Sequence, residues 1–282
     1  MTTIAPAGPP AQPSPPAPRR PRTLRTVLVA VGSVALVALL ALVVLQVVAG
    51  LDRGDRSRTS TVTEPFASVS IDASAADVRV EQADVDATRI VFRSGGSALR
   101  ETHAVHDGEL EVELRNPAWG ILDLPFGSSP GAELVVQVPA GTGGAGMDVD
   151  VSTAAGGIVV AGDFRDVDVD SGAGEVRLSG SVADLEVESG AGDLTADGLR
   201  VSGEVRATSG AGDTELDLAT APTSMRVETT AGEQRILLPE GAYAITTETV
   251  MGQVSNAVGS DAHATRRYVL SATMGDITVD RR

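Results

Sequence analysis

The chain of 282 residues contains no cysteine, which excludes disulfides, thiolate metal sites and cysteine nucleophiles. Its basic residues are all arginine, and its formal net charge of −16 excludes a nucleic-acid partner, because phosphates would be repelled. Aromatic residues make up 2% of the chain, too few for an ordinary globular core of this size.

The N-terminal segment, residues 1–26, is predicted to be a disordered, proline-rich cytoplasmic tail. It ends in a basic flank that contains Arg19, Arg20, Arg22 and Arg25.

The uncharged stretch 27–49 follows, and it is long enough to cross a bilayer as one helix. Because the basic flank precedes it, the positive-inside rule places the N-terminus in the cytoplasm and the rest of the chain outside the cell membrane. A cleavable signal peptide is the alternative, since small residues near Ala49 resemble a cleavage site.

Residues 50–65 are predicted to be a polar linker, and residues 66–282 to be the extracytoplasmic domain. Apolar and polar residues alternate from Phe66 onward, as expected for half-buried strands, and no helical period is sustained after residue 50. Residues 81–140 are less regular, and we expect hairpins or longer strands there that close the N-terminal end.

A short phrase of serine, glycine, alanine, glycine and an acid recurs at 171–175, 189–193 and 209–213. Weaker copies begin at Thr153, Thr229, Thr249 and Ala272, and Ile71–Val80 aligns as a degenerate first copy. The second glycine of the phrase recurs at Gly156, Gly174, Gly192, Gly212, Gly232, Gly252 and Gly275. The nearly constant spacing of these glycines indicates stacked repeat units rather than one globular core.

Each repeat reads as a strand, a tight glycine corner and a second strand, and it is too short for a βαβ unit. The sequence therefore predicts an all-β fold, a β-helix-like parallel β-solenoid of coils stacked in chain order, preceded by one transmembrane helix. Ala173 and its equivalents are expected to face inward, with Met251 and Met274 filling a tapering end. The charged residues 280–282 are expected to guard the final edge.

The alternating valines, the glycine–acid corners and the phrase 133–141 (Glu-Leu-Val-Val-Gln-Val-Pro-Ala-Gly) resemble the DUF4097 family of β-strand-repeat proteins. The resemblance covers about residues 66–280. It implies a bacterial, envelope-associated protein of the kind labelled an adhesin, and it offers no catalytic residues.

Three groups of residues are candidate sites. The loop 116–130 concentrates apolar side chains that could contact a partner or seal the solenoid as a flap, namely Trp119, Ile121, Leu122, Leu124 and Phe126. The corner acids Glu175, Asp193, Asp213, Glu233 and Asp276 could bind calcium, but hydrogen bonds to corner amides are the simpler account. We expect His103, His106 and His263 to be surface residues, because a spacing of three puts the first two on opposite faces of a strand.

These patterns favour a membrane-anchored, non-enzymatic cell-surface protein that serves adhesion or envelope interaction, with no cofactor or metal. Its partner would be an unidentified surface or envelope component, and the N-terminal helix would hold it to the membrane. A carbohydrate-active β-helix enzyme is the alternative, although the repeats after residue 140 lack the long loops that build a cleft. A ligand sensor of envelope stress is a further alternative.

Overall fold

The computed structural model describes residues 57–115, 131–140 and 146–282, which belong to one compact unit that spans Arg53–Arg282. This part of the chain is built from β-strands and contains no α-helix, so the predicted all-β class is confirmed. Within the same residues, no helix has the length and hydropathy needed to cross a membrane, and the predicted span 27–49 lies outside them.

The strands follow one another closely along the chain. The first seven are β1 (Ser57–Val62), β2 (Ser68–Ala73), β3 (Asp77–Ala83), β4 (Thr88–Arg93), β5 (Arg100–His106), β6 (Glu109–Arg115) and β7 (Glu133–Pro139). The next ten are β8 (Asp148–Thr153), β9 (Ile158–Asp163), β10 (Asp166–Ala173), β11 (Val176–Val182), β12 (Asp184–Ala191), β13 (Leu194–Val201), β14 (Glu204–Ala211), β15 (Thr214–Leu218), β16 (Ser224–Ala231) and β17 (Gln234–Leu238). The last four are β18 (Ala244–Met251), β19 (Val254–Asn256), β20 (Arg267–Met274) and β21 (Ile277–Arg281).

Two sheets share these strands. Sheet A has the order β1-β4-β7-β3-β9-β11-β13-β15-β17-β21-β19, and sheet B has the order β18-β20-β16-β14-β12-β10-β8-β2-β6-β5. From β8 to β17 each strand of sheet B is followed by one of sheet A, and we call such a pair a coil. Equivalent strands of neighbouring coils pair in parallel and in register, for example Val167 with Leu185 and Val176 with Leu194. The predicted solenoid-like stacking is therefore confirmed.

The core is a set of aliphatic columns between the two sheets. Val169, Val187 and Val227 are fully buried on sheet B, and Val176 and Ile236 face them from sheet A. Burying one such side chain stabilises the fold by about 1.5–3 kcal/mol, so the columns supply the main driving force for stacking.

The corner differs from the sequence-based prediction in one respect. Ser171 is buried, whereas Ala173 is exposed, and Met251 and Met274 are 58% and 43% exposed. The prediction that the alanine column faces inward, with the methionines filling a tapering end, is therefore wrong. Strand β10 continues to Ala173, which still pairs with Ala191, but the alternation of inward and outward side chains ends at Ser171.

The corner glycines allow the coils to approach closely. Gly192 has a φ of +131°, and a Cβ atom at this position would lie 2.0 Å from the carbonyl oxygen of Gly174 in the preceding coil. A side chain here would both strain the backbone and separate the coils, which explains why glycine recurs at each corner.

The stack does not follow chain order at its C-terminal end. The last coil, β20–β21, lies between β16–β17 and β18–β19, so the charged residues 280–282 do not guard the final edge as predicted. The inward residues account for this order. Tyr268, Leu270 and Ile277 of the last coil are apolar and buried, whereas Thr247 and Thr249 of β18 tolerate the partly exposed end position.

The N-terminal end is closed by the irregular segment, as predicted. Strands β2 and β3 pair in parallel with β8 and β9, which confirms the degenerate first copy. Strands β6 and β7 stack outside them, and β4, β5 and β1 complete the end in antiparallel pairs. Strand β1 lies within the segment 50–65 that the sequence predicts to be a linker.

Candidate functional site

The predicted contact loop lies outside the described residues. This applies to Trp119, Ile121, Leu122, Leu124 and Phe126, so their role as a contact surface or a structural flap stays a prediction.

The aspartates among the corner acids form a ladder of hydrogen bonds between coils. The Asp213 amide donates to Asp193 Oδ1 at 2.9 Å, and the Glu233 amide donates to Asp213 Oδ1 at 2.8 Å. The Gln253 amide likewise donates to Asp276 Oδ1 at 2.7 Å, which follows the spatial order of the coils rather than the chain order. These carboxylates therefore accept hydrogen bonds from backbone amides of the neighbouring coil rather than from amides of their own turn.

The ladder gives the corner acids a structural role. Each aspartate satisfies an amide at the edge of the neighbouring coil, and no bound cation is needed to explain the column. Within the described residues, no group of three or more histidine, aspartate or glutamate side chains is arranged to hold a metal ion.

The histidines occupy two kinds of environment. His106 and His263 are exposed as expected, but His103 is half-buried, and its Nδ1 lies 2.6 Å from Oε1 of Glu101. The Glu101 side chain is 1% exposed, and its Oε2 lies 4.0 Å from Nε of Arg58 on β1. Sequence reasoning missed Glu101. Because Leu114 opposite it is buried, the β5–β6 pairing puts Glu101 on the inner face of an edge strand.

A further polar feature is the outer surface of sheet B across the neighbouring strands β8, β10 and β12. The outward positions of these strands carry carboxylates in register, so that Asp150 lies beside Asp168 and Asp168 beside Glu186. We call this surface the acidic face, and its members are Asp148, Asp150, Asp166, Asp168, Asp170, Asp184, Glu186 and Glu188. Parallel strands lie about 4.8 Å apart, so neighbouring carboxylates repel one another.

Partial burial, with neighbouring negative charges second, raises the pKa of two central carboxyls. Partial burial, and secondarily the nearby Asp170, raises the pKa of Asp150 above its ordinary value. Partial burial also raises the pKa of Asp168, with smaller contributions from the charges on its neighbours, Asp150 and Glu186 first. These two groups therefore accept a proton more readily than isolated aspartates.

Among the described residues, arginines neutralise only the margins of the acidic face. Arg165 bonds Asp148 and also lies 3.3 Å from Asp166. Arg206 Nε lies 3.5 Å from Glu186 on the other margin. The acidic face thus presents an open array of negative charge that can attract a positively charged surface.

Several solved structures are similar to this chain at low sequence identity. A solved structure from Bacteroides fragilis, named a "putative adhesin", has a TM-score of 0.52 and 14% sequence identity, covering 81% of this chain and 97% of its own. A "putative adhesin" from Parabacteroides distasonis has a TM-score of 0.42 and 11% identity, covering 82% and 98% of the two chains. A "putative lipid binding protein" from the same species has a TM-score of 0.37 and 11% identity, covering 80% and 97%. No curated protein matches the chain.

The family assignment comes from the sequence of the repeat region. The family model described as Toastrack DUF4097 matches residues 66–281, which is most of the chain and nearly all of the described strands. The structure agrees with this match, because two sheets of stacked, in-register strands occupy the same residues. This chain therefore belongs to the Toastrack DUF4097 family.

Proposed function

We propose that this protein is a membrane-anchored, non-enzymatic cell-surface protein that serves adhesion or envelope interaction. The apolar stretch 27–49 would anchor it, with the N-terminus in the cytoplasm and the solenoid outside. The fold that it shares with a structure named a "putative adhesin" supports this role.

The observation that carries the proposal is the acidic face. Its eight carboxylates project from a continuous sheet surface, in rows whose spacing the coil repeat fixes. A regular array of charges on a rigid scaffold makes many weak contacts at once, and such multivalent contacts suit attachment better than catalysis. The complementary partner is a surface component that carries positive charge, such as amine groups of an envelope polymer or a basic protein.

A charge-matched pair of variants tests this proposal. In the first variant, Asp150, Asp168 and Glu186 of the acidic face become Asn, Asn and Gln. In the second, Asp163, Asp197 and Glu215 of sheet A receive the same changes, so both variants have the same net charge.

Cells that display the full-length chain are then allowed to attach to an amine-coated surface at low and high salt. We expect the acidic-face variant to lose most of the salt-sensitive attachment and the sheet A variant to keep it. Equal attachment by the two variants would mean that overall charge, rather than the acidic face, is responsible.

A further inference from the structure

The C-terminal end of the stack is formed by β18 and β19. Among the described strands, β18 pairs only with β20 and β19 only with β21, so each has one unpaired edge. Unpaired strand edges offer free amide and carbonyl groups to another strand.

Half of the β18 edge is covered by the chain itself. The Ser260 hydroxyl accepts a hydrogen bond from the Ile245 amide and donates one to the Ile245 carbonyl, both at 2.9 Å. The Asp261 amide donates to the Tyr243 carbonyl at 2.7 Å. The connection between β19 and β20 thus closes the edge near Ile245.

Among the described residues, none covers the other half of the edge. Hydrogen-bonding groups alternate sides along a strand, so the main-chain groups of Thr247 and Thr249 point the same way as those of Ile245. The described part of the chain has four large exposed apolar side chains, and all of them lie at this end: Val250, Met251, Val254 and Met274. Val254 is 43% exposed, although its equivalents Val176 and Ile277 are fully buried, because no further coil covers it.

We infer that a second copy of this chain covers the open half, with β18 pairing antiparallel to its counterpart about a two-fold axis at Thr249. This pairing sets Glu248 opposite Val250 of the other copy, so like charges are not opposed. Glu248 is the single charged residue between Gly241 and Gly259, and this neutrality suits contact between two acidic molecules. A strongly basic partner would instead be drawn to the acidic face.

The opposite end of the stack shows the contrast. There the inner face of the edge strand β5 carries Glu101 and His103, and inward-pointing charges of this kind disfavour pairing with another chain. No such charge lies on the inner face of β18, where Ile245, Thr247 and Thr249 stand. The C-terminal end is therefore the end open to association.

The size of the end face sets the strength of the dimer. The length of the end face is that of an eight-residue strand at about 3.3 Å per residue, and its width is that of two sheets about 10 Å apart together with their outward side chains. The end face therefore measures about 500 Å² per copy. Interfaces that bury less than about 1,200 Å² in total are weak and transient. The dimer should therefore depend on concentration, which calls for a covalent trap.

The cysteine-free chain makes such a trap selective. In the full-length protein in membranes, Thr249→Cys should form a disulfide-linked dimer under mild oxidation, because residues paired at the axis have Cα atoms about 5.5 Å apart. Thr246→Cys on the same strand, and Thr208→Cys in the middle of the stack, should remain monomeric. Val250→Cys should be linked by a short bismaleimide, since the two copies of this residue would lie about 8 Å apart.

A charge placed in the pair tests the register. In the Thr249→Cys background, Val250→Glu would place a glutamate opposite Glu248 of the other copy on both sides of the axis. This repulsion should lower the dimer yield about fivefold, whereas Val250→Gln should lower it less. Equal dimer yields for Thr246→Cys and Thr249→Cys would overturn the pairing. A second copy would be ruled out as the occupant if neither Thr249→Cys nor Val250→Cys gave a linked dimer. It would also be ruled out if the only linked product had a mass other than that of the dimer.

Discussion

The corner glycines allow backbone strain and coil contact to be measured separately. Gly192 combines both, since its φ is +131° and an added Cβ would meet the Gly174 carbonyl oxygen at 2.0 Å. Gly190 has no positive φ but does have the close contact, since an added Cβ would lie 2.6 Å from the Gly172 carbonyl oxygen. Gly108 has a φ of +84° but no heavy atom within 4 Å of the added Cβ, so it has the strain alone.

Alanine substitutions at these positions should therefore differ in cost. Strained backbone costs about 1–3 kcal/mol, and overpacking against a rigid neighbour costs about 1–3 kcal/mol. We expect Gly108→Ala and Gly190→Ala each to lose an amount within those ranges, and Gly192→Ala to lose about 2–6 kcal/mol. The outermost coil has the same close contact, because a Cβ added at Gly252 would meet the carbonyl oxygen of Gly275.

Thermal unfolding of the full-length protein, followed by far-ultraviolet circular dichroism, measures these costs. A loss of 1 kcal/mol lowers the Tm by about 2–4 °C at this domain size, so Gly192→Ala should lower it by roughly 5–20 °C. Gly146→Ala, at a position with open space and no positive φ, is the control and should change it little. A Tm for Gly192→Ala equal to that of Gly108→Ala would refute the argument that close coil contact requires these glycines.

Two further predictions concern the carboxylates. Asp213→Ala removes the acceptor for the Glu233 amide and should cost about 0.5–1.5 kcal/mol, whereas Glu233→Ala, which keeps both the amide donor and its Asp213 acceptor, should cost less; urea unfolding compares them. Asp168→Asn should raise the Tm slightly at pH 7, because the raised pKa of Asp168 means that its charge disfavours the folded state. A raised folded-state pKa makes the folded chain bind more protons, so this gain should fade as the pH falls through that pKa, and a gain unchanged at pH 4 would contradict the assignment.

The repeat core could be predicted because two independent periods agree. The alternation of apolar and polar residues fixes which side chains face inward, and the recurring glycine fixes where each coil turns. In-register pairs such as Val169 with Val187 follow directly from aligning the repeats. The outward carboxylates of the acidic face follow from the same alignment.

The ends could not be predicted from the repeat. Whether β18 or β20 stacks on β16 depends on a comparison of two inner faces, and the sequence pattern treats both as valid coils. Tyr243 and Tyr268 stack with their ring centroids 5.1 Å apart, but β18 and β20 would be neighbours in either order, so this contact does not distinguish the two. The corner was also misjudged at Ala173, because this residue still pairs within sheet B after the alternation of inward and outward side chains has ended, and the sequence pattern does not show where it ends.

The proposed surface location can be tested by labelling single cysteines, since the natural chain has none. Thr208→Cys places a thiol on the exposed surface of β14, and Thr3→Cys places one in the N-terminal tail. We predict that a membrane-impermeant maleimide labels Thr208→Cys in intact cells and labels Thr3→Cys only after the membrane is permeabilised. Labelling of Thr3→Cys in intact cells, or protection of Thr208→Cys until permeabilisation, would contradict a membrane-anchored solenoid displayed outside the cell membrane.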